Sequence, residues 1–543
     1  MKQLHTHSAA AFIAVAITAL VLAVGPLGRV NAGVGELDPQ FGNGGKVFTH
    51  LAFGDRVTCL AFQPDGKIIA GGASGSRPIY DAFDFTLVRY QADGSLDLSF
   101  GFGGKVITDF LGDEDYVNAV AVQADGKIVA AGRARKGVVI YFGLARYNTD
   151  GSLDATFGSG GKLLTNFFGY GGDALAMAIQ PDGRIVAAGR TFSGPSEVQV
   201  DFGVARYNID GSLDATFGSG GKVATDFGAY DLITAMAIQP DGRIVAGGDT
   251  YTEGAQNDFA LARYNKDGSL DSTFGSGGKV VTDFAGLPDF LAGLALQPDG
   301  KIVLAGDVST YVSASRDDIG FGLARYNKDG SLDSSFGSGG KVITQGVLIC
   351  ADAVAIQPNG KVIAAGLAVP NTPDGDFALS RYNSNGSLDP GFGSGGIITT
   401  DFTPSDRAFA LGLQSNGKVV AAGAAYDVTK GSGFALARYD FGDITTKSFD
   451  MHLQNDTCVL QLDSATGDYS FTDCASGFTI EGVGKIKVRG CKLILHDASE
   501  NHDVWAKLNV CTHTGKTAIE LFSQGMSYSL KDADITASVS PCR

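Results

Sequence analysis

The chain has 543 residues, of which 44% are hydrophobic and 18% charged, enough apolar material for a sizeable core and too little charge for a disordered chain. Its 58 acidic and 42 basic residues give a formal net charge of −16, which argues against a nucleic-acid partner, since that would need clustered Lys and Arg. The 77 glycines are about double the usual share and point to an architecture built on turns.

At the N-terminus, Lys2 precedes an uncharged run from Ala9 to Gly25, and Val30-Asn31-Ala32 has the small-residue spacing read by signal peptidase. Residues 1–32 are therefore expected to be a cleaved secretory signal, with a retained anchor as the alternative. No second apolar span follows. The mature chain is expected to be secreted or at the cell surface, monomeric, and without a membrane span.

From Leu37 onward the sequence repeats itself. The phrase Leu-Asp-x-x-Phe-Gly-x-Gly-Gly begins at Leu37, Leu96, Leu153, Leu213, Leu270, Leu332 and Leu388. A second phrase, of the type AIQPDGKIVAAG, places its glutamine at Gln63, Gln123, Gln180, Gln239, Gln297, Gln357 and Gln414. A third, FALARYN, carries arginines at 89, 146, 206, 263, 325, 381 and 438. Each unit reads as four short strands. GKVVTDF alternates apolar and polar residues, AMAIQ and RIVAGG flank a Pro-Asp-Gly hairpin turn, and FALARYN supplies the last strand. Such units in series predict an all-β, seven-bladed propeller over residues 33–443, in which radial repetition leaves only short exposed edges. The first unit lacks a preceding ALARYN and the last lacks a following GSLDxxFG. The two ends are therefore complementary, and Lys46–Leu51 is expected to be the outer strand of the last blade, beside Ala435–Tyr439.

These phrases, SLDxxFGxGGKV and AIQPDGKIVAAG, resemble the delta-60 repeats of bacterial secreted and surface proteins and, more distantly, NHL-type propellers. The resemblance spans about residues 37 to 441 and implies a seven-bladed propeller. It implies no general activity.

Residues 444–543 carry no repeat but hold five of the seven cysteines, and they read as a small β domain. Cys458–Cys474 and Cys491–Cys511 are the expected disulfides, fitting an oxidising compartment. Cys59 and Cys350, in different blades, read as buried thiols.

Two constellations carry charge at regular intervals. In RYNKDGSLD, the order Asn-x-Asp-Gly-x-x-Asp is similar to a calcium loop. The arginine that opens the phrase, Arg263 in this copy, would repel a cation, so a blade junction is expected instead. There Arg263 pairs with Asp271 or Asp267, and Phe274 plugs the space between blades. No cofactor is expected, and Ca²⁺ is the disfavoured alternative. The second constellation is a ring of acids before the inner strands: Asp55, Asp115, Asp231, Asp289 and Asp406, with Asp173 and Asp352 slightly displaced. At a channel mouth these could bind a cation or an amine, but their recurrence favours local hydrogen bonding to backbone amides.

Catalysis has little support. Only His50 lies inside the propeller, which leaves neither a histidine-based zinc centre nor a seryl triad there. The leading expectation is a binding or surface-interaction module for an extracellular ligand (glycan, peptide or surface protein). A hydrolase or lyase using acids at the channel mouth, with or without Ca²⁺, is the alternative. Binding is expected on the face of the drifting loops, whose tips include Tyr80, Tyr170, Phe192, Tyr251, Tyr311 and Tyr426.

Overall fold

In a computed structural model, the residues described are 35–441, apart from 53, 76–82, 168, 170, 193–198, 229, 252–255, 285, 287, 310–318, 346–347, 370–374, 404 and 430, together with the backbone of strands between 446 and 535. The signal segment, Tyr80, Tyr170, Tyr311 and the expected disulfides Cys458–Cys474 and Cys491–Cys511 lie outside the described residues. Among those described there is strand, turn and bend only, and no helix long and apolar enough to cross a membrane.

The repeats fold as seven four-stranded antiparallel blades. The fourth blade is representative, with strands Tyr230–Ile238, Ile244–Tyr251, Asn257–Tyr264 and Lys279–Thr282, innermost to outermost. Its second and third strands are buried along nearly their whole length, because blades pack on both faces of each sheet. This is why IVAGG and FALARY are apolar runs instead of strict alternations. Each inner strand carries a bulge, such as the register shift between Ile233 and Ala235, which re-aims the residues before it toward the channel mouth.

The seventh blade is completed by the N-terminus. Lys46–Thr49 pairs with the strand Gly431–Asp440 in the register Lys46↔Ala437 to Thr49↔Phe434, and Glu36–Leu37 pairs further along it. Closure is secured on both sides. Tyr90 of the first blade donates to Thr49 at 3.0 Å, as Tyr264 does to Thr225 of the preceding blade at 2.9 Å. Arg438 reaches forward to the Ala92 carbonyl of the first blade.

After the propeller, strands from Thr446–Leu453 to Met526–Ile535 pair into a nine-stranded sheet.

Candidate functional site: a sevenfold junction and an asymmetric channel mouth

The repeated turn builds the contact between blades. Arg263 Nε donates to Asp271 Oδ2 at 2.8 Å, its Nη1 donates to the Lys328 carbonyl of the next blade, and its guanidinium lies 4.5 Å from the Phe274 ring centre. Arg243, from the Asp-Gly-Arg turn of the same blade, adds a contact to Asp271 at 3.1 Å. Burial alone would raise the Asp271 pKa, but hydrogen bonds from Thr273 and the charge of Arg263 outweigh it and hold the carboxyl below its ordinary range. Asp267 has a different job, accepting from the Ser269 amide at 3.0 Å and hydroxyl at 2.6 Å within its own turn. Phe274 is fully buried among Val245 and Phe259 of its blade and Ile302 and Tyr326 of the next. Two glycines make the close approach possible. Gly268 has φ +87° and stands against Gly218 and Phe217 of the preceding blade, where an added Cβ would come within 3.0 Å of the Gly218 nitrogen. Gly275 has φ +52°, and a Cβ there would sit 2.3 Å from the Lys279 carbonyl oxygen.

The predicted ring of acids is buried and hydrogen-bonded locally in five blades. Asp55 accepts from the Leu51 amide at 2.6 Å and the Ser74 hydroxyl at 2.6 Å. Asp231 accepts from the Phe227 amide at 2.5 Å and Thr250 at 2.6 Å, and Asp406 from the Phe402 amide at 2.5 Å and Thr403 at 2.6 Å. Asp115 accepts from the Phe110 amide at 2.7 Å and Asp289 from the Phe284 amide at 2.8 Å. Burial is the leading cause that pushes Asp115 up to about 6 and Asp289 up to about 7, with neighbouring aspartates adding to it. The two displaced acids do something else. Asp173 forms a two-point pair with Arg190 (2.8 and 3.1 Å), and Asp352 forms one with Arg407 of the next blade (2.8 and 2.6 Å).

A feature that the repeat phrases do not announce lies between these acids. A cavity of about 590 Å³ opens at the channel mouth across blades seven, one, two and three. Arg56, Arg133, Phe83, Tyr116, Phe409 and Asp173 are among its lining residues. The Phe83 and Tyr116 rings stack obliquely, with centroids 5.4 Å apart at 33°. Arg56 is exposed and its guanidinium sits 5.7 Å from the Phe409 ring centre. Arg133 comes no closer than 3.9 Å to Glu114, and its Nε is buried without an acceptor. Phe192, Tyr251 and Tyr426 are not among the cavity's lining residues.

Across the mouth, blades four to six carry acids. Asp249 Oδ1 accepts the Leu291 amide at 2.5 Å and Asp307 Oδ1 accepts the Ala351 amide at 2.8 Å, each tying the second strand of its blade to the inner strand of the next. Burial pushes Asp249 up to about 8 and Asp307 up to about 6.

The family model described as "Domain of unknown function (DUF5122) beta-propeller" matches residues 63–100, 123–157, 180–217, 239–274, 297–336, 357–392 and 414–440, one segment in every blade. The chain belongs to a β-propeller repeat family. A WD domain, G-beta repeat model also matches residues 45–76. No curated protein matches the chain. Among solved structures, the propeller is similar to a protein of unknown function from Dyadobacter fermentans (11% identity, 73% of this chain and 99% of that one, TM-score 0.38). It is also similar to a gluconolactonase from Xanthomonas campestris (12%, 72% and 89%, TM-score 0.31) and to the polysaccharide lyase Uly1 (12%, 77% and 88%, TM-score 0.35). These similarities bear on neither activity nor ligand.

Proposed function

We propose that the protein is a non-enzymatic binding propeller that seats a carboxylate-bearing saccharide in the channel-mouth cavity. The observation that carries this reading is the arginine lining of one cavity of suitable size, where Arg133 comes no closer than 3.9 Å to Glu114 and so keeps its guanidinium available to an anion. Arg56 supplies a second guanidinium on the same cavity, and the planar fork of arginine matches a carboxylate. The Phe83–Tyr116 pair and Phe409 offer ring faces against which a sugar's apolar side can lie.

The geometry weighs against the hydrolase or lyase alternative. Asp173 is held by Arg190, and both oxygens of Asp55 accept hydrogen bonds, so neither lining acid is poised to move a proton. The acids on the other side are occupied too: Asp249 and Asp307 accept backbone amides, and Asp352 is paired with Arg407. An extracytoplasmic setting, supported by the N-terminal apolar run and by the resemblance to delta-60 repeats, would expose the site to glycans.

The test is calorimetric titration of the full chain with uronate-containing oligosaccharides and their neutral counterparts. Binding of the acidic series only, weakened about tenfold or more by Arg133→Ala and by Arg56→Ala, is the expected result. Equal binding of neutral sugars, or turnover of any of them, would overturn the reading.

A further inference from the structure

We propose that the junction between the fourth and fifth blades is a binding site for a hard divalent cation, Ca²⁺ before Mg²⁺, held by Asp258, Asp283 and Asp289. Each offers one carboxylate oxygen, and the three oxygens lie within 4.8 Å of one another. Asp258 stands at the start of the third strand of blade four, Asp283 follows that blade's outer strand, and Asp289 opens the inner strand of blade five. Oxygens on opposite sides of a Ca²⁺ ion, at about 2.4 Å from it, stand about 4.8 Å apart, so the triad has the dimensions of a partial coordination shell.

Two observations separate this triad from an ordinary acidic cluster. The first is an orphaned oxygen. Asp289 is 0% exposed, and its Oδ1 has no hydrogen-bond partner. At the same place in blades one and four the oxygen is satisfied by a hydroxyl eleven residues after the repeat glutamine, Ser74 on Asp55 and Thr250 on Asp231. Blade five has Val308 there, which can donate nothing. A buried carboxylate oxygen left bare is costly unless something positive reaches it.

The second observation comes from the repeats themselves. Equivalent triads recur as Asp84, Asp109 and Asp115, as Asp201, Asp226 and Asp231, and as Asp376, Asp401 and Asp406. At the remaining three junctions both of the first two aspartates are replaced together: by Tyr141 and Asn166, by Gly320 and Gln345, and by Gly433 and His50. These two positions are distant in sequence, and independent drift would leave mixed cases. Their joint presence or joint loss fits a pair that serves one ligand.

The electrostatic balance agrees. Lys341 donates its ammonium to the Asp283 backbone carbonyl at 2.9 Å, and the Gly286 amide donates to Asp283 Oδ1 at 2.5 Å, so the triad keeps carboxylate charge close together beside one lysine ammonium. In the triads ending at Asp115, Asp231 and Asp406, the third carboxylate already takes hydrogen bonds on both oxygens. The triad of Asp289 is therefore the tightest of the four. This site is separate from the exposed repeated turn, where Asp267 is engaged by Ser269, and it does not depend on the saccharide reading.

The experiment strips the full chain with chelator and titrates it with CaCl₂ and with MgCl₂ by calorimetry, following the melting temperature in parallel. Ca²⁺ is expected to bind more tightly than Mg²⁺ and to raise the melting temperature. Asp258→Asn with Asp283→Asn should weaken Ca²⁺ binding at least tenfold. Val308→Thr, which restores the hydroxyl found in blade four, should weaken it several-fold in a fully folded protein. Asp267→Asn should leave it unchanged. Absence of Ca²⁺ binding by the wild type overturns the proposal, as does an unaltered affinity in the double variant. If the double variant does not fold, an unaltered affinity in Val308→Thr overturns it instead.

Discussion

Removing the carboxylate of Asp38 should open the ring at its one covalent gap. Asp38 is 2% exposed and accepts from Arg438 Nε at 2.7 Å and Lys418 Nζ at 2.6 Å, so one carboxylate from the N-terminal segment neutralises two cations of the last blade. Burial opposes its ionisation, but the Lys418 hydrogen bond and the charge of Arg438 prevail and hold its pKa below the ordinary value. Asp38→Ala would leave the buried Arg438 guanidinium without a counter-charge, and breaking one side of a buried pair typically costs about 3–5 kcal/mol. Arg438 keeps the Ala92 carbonyl and the Phe41 ring at 4.5 Å, which places the expected loss near the lower end, about 3 kcal/mol. Because the strand Lys46–Thr49 continues covalently into the first blade and not the seventh, the loss should appear first as local opening. Urea denaturation measures the total, and hydrogen exchange should show early loss of protection in Lys46–Thr49 and its partners Phe434–Ala437. The sign with pH follows from the lowered pKa: the stabilisation is present above about pH 4 and is lost as the pH falls through the folded-state value. Asp38→Leu with Arg438→Met, which removes both charges, should be less destabilised than Asp38→Ala alone. A single-variant loss below about 1 kcal/mol, or exchange that rises evenly around the ring, would refute the argument.

Two further outcomes can be read from groups around the channel mouth. Asp249 and Asp307 have folded-state pKa values of about 8 and about 6, raised mainly by burial, so the folded state binds more protons than the unfolded chain across that range. Stability should therefore fall as the pH rises from about 4 toward 8, by at most about 1.4 kcal/mol per pH unit for each carboxyl still protonated, with Asp115 and Asp289 acting in the same direction, and Asp249→Asn should flatten the upper part of the urea-midpoint profile. A profile that climbs over this interval contradicts the burial of these carboxyls. Cys59 and Cys350 have thiols that burial pushes up to about 12, so alkylation at pH 8 should be slow in native buffer and fast in denaturant.

The propeller was legible because its repeats carry the same local chemistry seven times. Asp-Gly turns, an apolar pair of inner strands and complementary chain ends leave little choice of architecture. The Arg263–Asp271 pair was legible up to one ambiguity. Charge alone could not separate Asp271 from Asp267, and the bond between strand and turn settles on the residue eight positions away. The acids at the channel mouth were harder. A spacing rule counted Asp173 and Asp352 with the others, yet bulged inner strands turn these two toward arginines, and only the register reveals which. The Asp258–Asp283–Asp289 triad gathers residues of two blades; its spacing, 25 residues and then five or six, recurs in all four triads, but only the pairing of the strands shows that such distant positions meet. One signal was present in the sequence all the same. Seven residues before each repeat glutamine stand Arg56, Tyr116, Asp173, Leu232, Phe290, Cys350 and Arg407, and two positions later the blades vary as freely, in strands whose ends toward the glutamine stay apolar.

Those variable positions bear on how a sevenfold frame can recognise anything small. At the junction face every copy of the clamp satisfies its own charges, as Arg263 does with Asp271 and the next blade's carbonyl, so little is left over for a ligand. A single small ligand lacks sevenfold symmetry, and it can be oriented only by positions where the blades differ. Those positions meet at the channel mouth, and they differ in sign. Blades one to three bring Arg56, Arg133 and Arg190, while blades four to six bring Asp249, Asp307 and Asp352. The acids are consumed in tying a second strand to the next blade's inner strand or in pairing with Arg407, whereas Arg56 stacks on Phe409 and Arg133 comes no closer than 3.9 Å to Glu114. The residual charge facing the cavity is therefore positive in a protein whose net charge is −16, and an anion is drawn to that half of the mouth because the surrounding acidic surface offers it no competing place. Removing that local charge with Arg133→Gln should weaken uronate binding at least tenfold, and Arg133→Glu, which sets a second carboxylate beside Glu114, should abolish it; uronate affinity unchanged in Arg133→Gln would refute the assignment.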